Sequence, residues 1–277
     1  MTRLDLAGGV AVVTGAASGI GRATALALGR RGCALALVDR DADGVRATAE
    51  AARGHGVVAT EHVLDVAEAD AVAALPDAVL AGHGRVTVLV NAAGVALAGR
   101  VEEVSMDELR WLMEINFFGV AGLTKAFLPH LQAAGEGQIA NLSSLFGIIA
   151  PAEQAAYAAS KFAVRGWSEA LRHELEGTGV GVTVVHPGGV ATAISRSARV
   201  AAGADAAEVA RRQAAFERRF LRTPPEAVGE AIADAIERRK PRLLVASGAR
   251  TGAWLQRLMP ARYWRVLRRG AERVSGR

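Results

Sequence analysis

Residues 10–21 read VAVVTGAASGIG, and this stretch decides the architecture. Val10–Thr14 is a short run of strand-forming residues, the length of a buried strand. Thr14-Gly15-Ala16-Ala17-Ser18-Gly19-Ile20-Gly21 then opens a helical pattern that runs from Ile20 to Arg31. Three glycines let the backbone come close to a pyrophosphate, and a helix N-terminus offers free N–H groups and a partial positive charge. A Gly-rich turn between a strand and a helix predicts a dinucleotide-binding unit. Gly15, Ser18, Gly19, Ile20 and Gly21 are its phosphate-facing residues.

Outward from this unit, short apolar runs alternate with longer helical patterns. Strands are predicted over Val10–Thr14, Ala34–Val38, Val57–Leu64, Thr87–Asn91, Gln138–Leu142, Gly181–His186 and Leu243–Ala246. Helices are predicted over Ala42–Arg53, 67–81, Leu109–Ala133 in one or two segments, Glu153–Glu176 and Pro224–Arg239. Arg196–Arg222 reads as a pair of short helices. This alternation predicts an α/β fold, a Rossmann-type doubly wound parallel sheet of about seven strands with helices on both faces and ligands at the carboxyl ends of the strands. One catalytic domain is expected over 1–249, with a cofactor half over about 8–142 and a substrate-determining region over about 143–249. Asp39, at the end of the second strand, can accept hydrogen bonds from the adenosine ribose and repel a 2′-phosphate, which favours NAD.

Asn141–Lys161 reads NLSSLFGIIAPAEQAAYAASK. Ser144 precedes Tyr157 by thirteen residues, and Lys161 follows Tyr157 by four. Four residues is one helical turn, so Tyr157 and Lys161 share a face. An ammonium close to a phenol favours the phenolate and lowers its pKa, which suits general acid–base work. This spacing, together with the G-x-x-x-G-x-G turn and the N-A-A-G string at residues 91–94, resembles the short-chain dehydrogenase/reductase family.

The resemblance covers about residues 8–192 and implies a nicotinamide-dependent oxidoreductase acting on a secondary alcohol or ketone. Tyr157 is then the proton donor, Ser144 holds the substrate oxygen, and Lys161 lowers the Tyr157 pKa and contacts the nicotinamide ribose. Asn116, in MEINFFGVAGLTKAFLP, matches the family's asparagine, which binds water through a local helix distortion and completes a proton relay. Asp65 and Val66 match the adenine contact. Asn91, Ala92 and Gly94 leave room for the cofactor, with Asn91 bracing the neighbouring strands. Pro187, Gly188, Val190 and Thr192 match the segment that holds the carboxamide. Arg40 matches a position that can bind the phosphate of NADP, so NAD(H) is preferred and NADP(H) is the alternative. His186 reads as a strand-end residue rather than a catalyst. The family also implies a homodimer or homotetramer, with Trp111, Phe117, Phe118 and Trp167 as interface residues. Leu145, Phe146, Ile148 and Ile149 read as an apolar pocket wall.

Composition narrows the classes further. One cysteine, Cys33, excludes an internal disulfide and a cysteine metal cluster, and the scattered histidines show no metal-ligand spacing. No metal is expected. No apolar run reaches the roughly 20 residues of a membrane span. The N-terminus passes into a strand without a basic and apolar leader, so a cytoplasmic protein is expected. The net charge of +5 is uneven: residues 241–277 hold nine arginines and one acid, a net of +8, which leaves −3 for residues 1–240. The body is therefore not a nucleic-acid binder. Residues 250–277 form a basic amphipathic extension, with Arg262, Arg265 and Arg269 on one stripe and Tyr263, Val266 and Leu267 on another, broken at Pro260. Packing on the body or a partner subunit is expected of it, with peripheral membrane contact and a lipid-like or steroid-like substrate as the alternative. A dinucleotide-binding regulator without catalysis is a further reading, which the intact Ser144, Tyr157, Lys161 and Asn116 oppose.

Overall fold

The computed structural model describes residues 3–194 and 196–267. Its strands are β1 (Val10–Thr14), β2 (Ala34–Asp39), β3 (Ala59–Val63), β4 (Val88–Asn91), β5 (Leu97–Ala98), β6 (Gly137–Leu142), β7 (Val180–Pro187), β8 (Arg199–Val200) and β9 (Arg242–Val245). Seven of them form one parallel sheet in the order β3-β2-β1-β4-β6-β7-β9. The order reverses between β1 and β4, so the crevice for a ligand lies at their carboxyl ends.

The sheet is covered on both faces, and its central strands are apolar without alternation. Alternate side chains point to opposite faces. Ala11 and Val13 of β1, with Leu35 and Leu37 of β2, pack with α1 (Gly19–Gly29), α2 (Ala42–Arg53) and α8 (Pro225–Glu237). Val12, Ala36, Val38 and Leu89 pack on the other face with α3 (Ala69–His83), α5 (Gly119–Ala133) and α6 (Ala155–Glu174). Cys33 is a fully buried core residue just before β2.

Three elements differ from expectation. β3 is shorter than 57–64 because it is an edge strand whose only ladder is with Leu35–Asp39 of β2, and that ladder reaches only Ala59–Val63. The helix expected over 109–133 begins earlier, as α4 (Met106–Met113), where Ser105 and Glu108 form a reciprocal capping box. Arg196–Arg222 is not two short helices. β8 pairs with β5, and α7 (Ala206–Phe220) is one helix whose N-terminus is capped by the Asp205 carboxylate.

Residues 249–267 fold onto the body. α9 (Ala249–Leu258) ends before the Pro260 break, and a second helical turn starts at Tyr263. Gly252 lies so close to Leu145 that an added Cβ would sit 2.9 Å from Leu145 Cδ1. Trp254 and Leu258 point outward, 63% and 67% exposed. Arg269 of the expected basic stripe lies outside the described residues. No helix among the described residues is long and apolar enough to cross a membrane.

Candidate active site

The Gly-rich turn is built for close backbone approach. Gly15 has φ +67°, and an added Cβ there would lie 2.8 Å from the Ala93 nitrogen. A Cβ on Gly21 would lie 2.1 Å from the Gly15 carbonyl oxygen. Ser18 gives α1 no side-chain cap, so the first-turn amides are left to another partner. The turn is anchored at both ends. The Ala17 N–H donates to Asp39 Oδ2 at 3.0 Å, and the Ala92 and Ala93 amides donate to Thr14 Oγ1 at 3.1 Å. Gly19 abuts Thr192, whose Cγ2 would be 3.3 Å from a Cβ on Gly19. The turn, the N-A-A-G segment and the Pro187–Thr192 segment thus meet at one place. Val66 and Val190 are buried in the core, so only their backbone can face a ligand. Ile20 packs partly against the core from the same turn.

Asn91 is buried and braces the sheet, its Nδ2 donating to Asn141 Oδ1 at 2.8 Å across β4 and β6. Arg40 points at Asp65, with Nη1 3.8 Å from Oδ2, while the Asp39 carboxylate turns to the Ala17 and Asp41 amides. Pro187 ends β7, and Gly188 packs against the Ser247 carbonyl.

Ser144 follows β6 and N-caps a 3-10 turn, Leu145–Gly147, with its Oγ accepting the Phe146 N–H at 3.1 Å. Tyr157 and Lys161 share one face of α6, and the Lys161 ammonium lies 5.7 Å from the Tyr157 ring centroid. Lys161 is buried, and its Nζ donates to the Leu142 carbonyl at 3.1 Å. Burial pushes its pKa down to about 8. Burial pushes the Tyr157 phenol up to about 12, against a hydrogen bond with Ser144 that lowers it. The direction is opposite to the phenolate-favouring effect expected of Lys161. The ammonium lies over the Tyr157 ring, and desolvation prevails. The resting phenol holds its proton.

Asn116 lies in a π-helical segment, Glu114–Phe118, between α4 and α5, so the expected helix distortion is present. It is fully buried. Its Oδ1 accepts the Val95 N–H at 2.8 Å, and its Nδ2 donates to the Val95 carbonyl and to Ser160 Oγ, both at 3.0 Å. A Cβ on Gly94 would lie 3.1 Å from Asn116 Oδ1 and 3.3 Å from Lys161 Nζ, so Gly94, Asn116 and Lys161 converge.

The family model for short chain dehydrogenases matches residues 9–202. Over 265 residues the chain is 43% identical to the protein designated oxidoreductase SadH of Mycobacterium tuberculosis, covering 95% of each. The chain belongs to the short-chain dehydrogenase family. Among solved structures, a short-chain dehydrogenase/reductase from Burkholderia phymatum in complex with NAD superposes with a TM-score of 0.84 at 29% identity, covering 92% of this chain and 94% of that one. An alcohol dehydrogenase from the archaeon Thermococcus sibiricus, complexed with 5-hydroxy-NADP, gives a TM-score of 0.74 at 31% identity over 87% and 97% of the two chains.

In this short-chain dehydrogenase several supporting residues escaped the sequence reading. Thr14 ties the glycine turn to Ala92 and Ala93. Ser143 Oγ donates to the Lys161 carbonyl at 2.8 Å, and Ser160 Oγ donates to the Tyr157 carbonyl at 2.8 Å. Their only signal was a small polar residue beside each catalytic position. Leu145 and Phe146 do flank the site, with the Phe146 and Tyr157 rings 6.2 Å apart and edge-on. Ile148 and Ile149 are both buried. Among the described residues no group of three or more histidine, cysteine or acidic side chains is placed to hold a metal.

Proposed function

We propose that this short-chain dehydrogenase interconverts a secondary alcohol and a ketone with a nicotinamide cofactor. The convergence of Ser144, Tyr157, Lys161 and Asn116 beside the glycine turn carries this reading. The turn fits a dinucleotide, because Gly15 and Gly21 leave no room for side chains and the α1 amides have no cap. Gly15, Ser18, Gly19, Ile20 and Gly21 hold the diphosphate, Asp39 the ribose, and Asp65 and the Val66 backbone the adenine. Asn91, Ala92, Gly94, Pro187, Gly188, Val190 and Thr192 form the nicotinamide side. When bound, the nicotinamide supplies the hydride for reduction or accepts it in oxidation.

The protein's own part is proton handling and orientation. Ser144 donates to the substrate oxygen and holds it beside Tyr157. In reduction Tyr157, protonated at rest, gives its hydrogen to that oxygen as the new C–H bond forms. Lys161 opposes the charge left on the phenolate, and Asn116 with Lys161 returns a proton from solvent. Leu145 and Phe146 make the substrate apolar next to its reacting carbon. Asp39 favours NAD(H) over NADP(H), the alternative that Arg40 keeps open. Phe118 and Phe162, 52% and 39% exposed on the π-helical segment and α6, support a homodimer or homotetramer through these helices.

A panel of alcohols and ketones, run in parallel with NAD(H) and NADP(H), tests the reading. Turnover on an apolar secondary alcohol or ketone is expected, and Tyr157→Phe should abolish it while cofactor binding persists. Retained turnover in that variant would refute the assigned acid.

A further inference from the structure

β6 and β7 run in register to Leu142 and Val185, and the Ser143 N–H extends the ladder to the Val185 carbonyl at 2.9 Å. The chain then leaves the sheet at Ser144. The Ser144 carbonyl takes two bonds. One, from the Gly147 N–H at 3.0 Å, is internal to the 3-10 turn and moves with it. The other comes from His186, whose Nδ1 lies 2.9 Å away on the last turn of the β7 ladder before Pro187. This second bond ties the serine to the sheet.

A carbonyl oxygen only accepts, so Nδ1 carries the hydrogen and Nε2 is a bare lone pair. His186 is fully buried, and Nε2 has no hydrogen-bond partner among the described residues. Among the described residues the Ser144 carbonyl is thus the ring's hydrogen-bond partner. Burial first, and then the charges of Arg242 on β9 and Arg165 on α6, push it down to about 4, while the Ser144 carbonyl and Glu169 on α6 pull the other way. The ring is neutral at pH 7, and the Ser144 carbonyl selects the tautomer with its hydrogen on Nδ1.

We propose that His186 is a positioning residue: a neutral donor that fixes the Ser144 peptide and so aims the serine hydroxyl at the reacting oxygen. The same residue begins the Pro187–Thr192 segment. One ring therefore sets the spacing between the substrate-oxygen side of the site and the nicotinamide side. The inference rests on the role proposed above for Ser144.

Two substitutions separate positioning from packing. His186→Leu removes the donor at similar bulk, and His186→Asn keeps a donor, Nδ2, where Nδ1 stands. The leucine variant should lose about 10- to 100-fold in kcat, the scale of a misaimed catalytic group. Its cofactor Kd and substrate KM should stay within about twofold, and asparagine should restore most of the kcat. On a Ser144→Ala background the leucine change should cost little more, because the two act as a unit. Parental kcat in His186→Leu, an equal loss in His186→Asn, or an undiminished further loss on Ser144→Ala overturns the proposal. If Ser144→Ala itself keeps parental kcat, the reading of the active site fails instead. Should the leucine variant not fold, ¹⁵N-histidine spectra of the parent decide. A slowly exchanging proton on Nδ1 and a bare Nε2 at pH 7 are expected, and an Nε2–H tautomer overturns it.

Discussion

The Ala150 amide donates to the Tyr263 phenol oxygen at 2.8 Å. Tyr263 belongs to the C-terminal segment, and Ala150 to the loop that leads from Ser144 to Tyr157. With Gly252 against Leu145, this makes two points at which the C-terminus bears on the substrate side of the site. Tyr263→Phe keeps the ring and removes the bond. It should cost about 0.5–1.5 kcal/mol of stability, the net worth of one hydrogen bond. Substrate KM should rise several-fold while kcat holds, since the loop and not the acid is loosened. Parental KM together with a parental denaturation midpoint would show that the contact does nothing.

The ribose role proposed for Asp39 and the phosphate role that Arg40 keeps open call for opposite charges. Asp39 spends its oxygens on the Ala17 and Asp41 amides, and Arg40 leans toward Asp65. Asp39→Asn removes the repulsion of a 2′-phosphate and keeps an acceptor for the turn. The ratio of kcat/KM for NADPH over NADH should rise roughly 10-fold, equivalent to about 1.4 kcal/mol. Arg40→Ala should move the ratio the other way. Steady-state kinetics with both cofactors checks this, and an unchanged ratio in both variants would remove these residues from cofactor choice.

Lys161 and Tyr157 give opposite pH signatures. A lysine held down at about 8 is an ammonium below that pH and an amine above it. Ketone reduction should therefore hold up to about pH 7.5 and fall as pH rises through about 8, while Tyr157, held up at about 12, keeps its proton throughout. Stability moves the other way. An unfolded lysine stays protonated to about 10.5, so between pH 8 and 10.5 the unfolded chain binds more protons and stability rises with pH. Tyr157 and Cys33, both raised to about 12, lose stability as pH climbs from their unfolded values of about 10 and 9. Between pH 8 and 9 Lys161 dominates, with Cys33 opposing it in part as its unfolded thiol begins to ionise. There the unfolding free energy should rise by roughly 1 kcal/mol or less, and Lys161→Met should remove the rise. A flat parental profile sinks the assignment.

The sheet was legible because each central strand carries its own signal. Val10–Thr14 before three glycines fixes β1 and α1, and alternate residues such as Val12 and Val13 only have to fall on opposite faces. The catalytic spacing was legible because Tyr157 and Lys161 are one helical turn apart. What stayed hidden depends on partners far along the chain. Glu108 closes the capping box of α4, and its Oε1 also receives the Ala202 N–H, 94 residues away, at 3.0 Å. That bond and the β5–β8 pair hold the segment before α7, and neither leaves a local pattern. His186 reads as an ordinary strand end until the fold brings Ser144 to it. Ile148 and Ile149 look like an exposed pocket wall in sequence, but both are buried in the fold. Lys161 looks like the group that acidifies Tyr157, but burial of both groups reverses the outcome.

Asn116 separates a scaffold role from a proton-handling one. Its side chain makes three bonds in a fully buried position, two of them to Val95 beside the cofactor segment. Asn116→Ala leaves the Val95 N–H and carbonyl and the Ser160 hydroxyl short of partners, at about 1–3 kcal/mol for each group left unsatisfied. Denaturation should report a loss of about 3 kcal/mol or more. If Asn116 also returns protons to Lys161, kcat should fall about 100-fold, the scale of a lost acid–base step, while cofactor Kd changes little. The solvent deuterium isotope effect on kcat should grow, because proton return becomes limiting. A stability loss with parental kcat and an unchanged isotope effect makes Asn116 a scaffold residue and ends the relay. Parental stability would mean that the π-helical segment does not hold Val95 at all, and with it the placing of Gly94 beside Lys161 would fall.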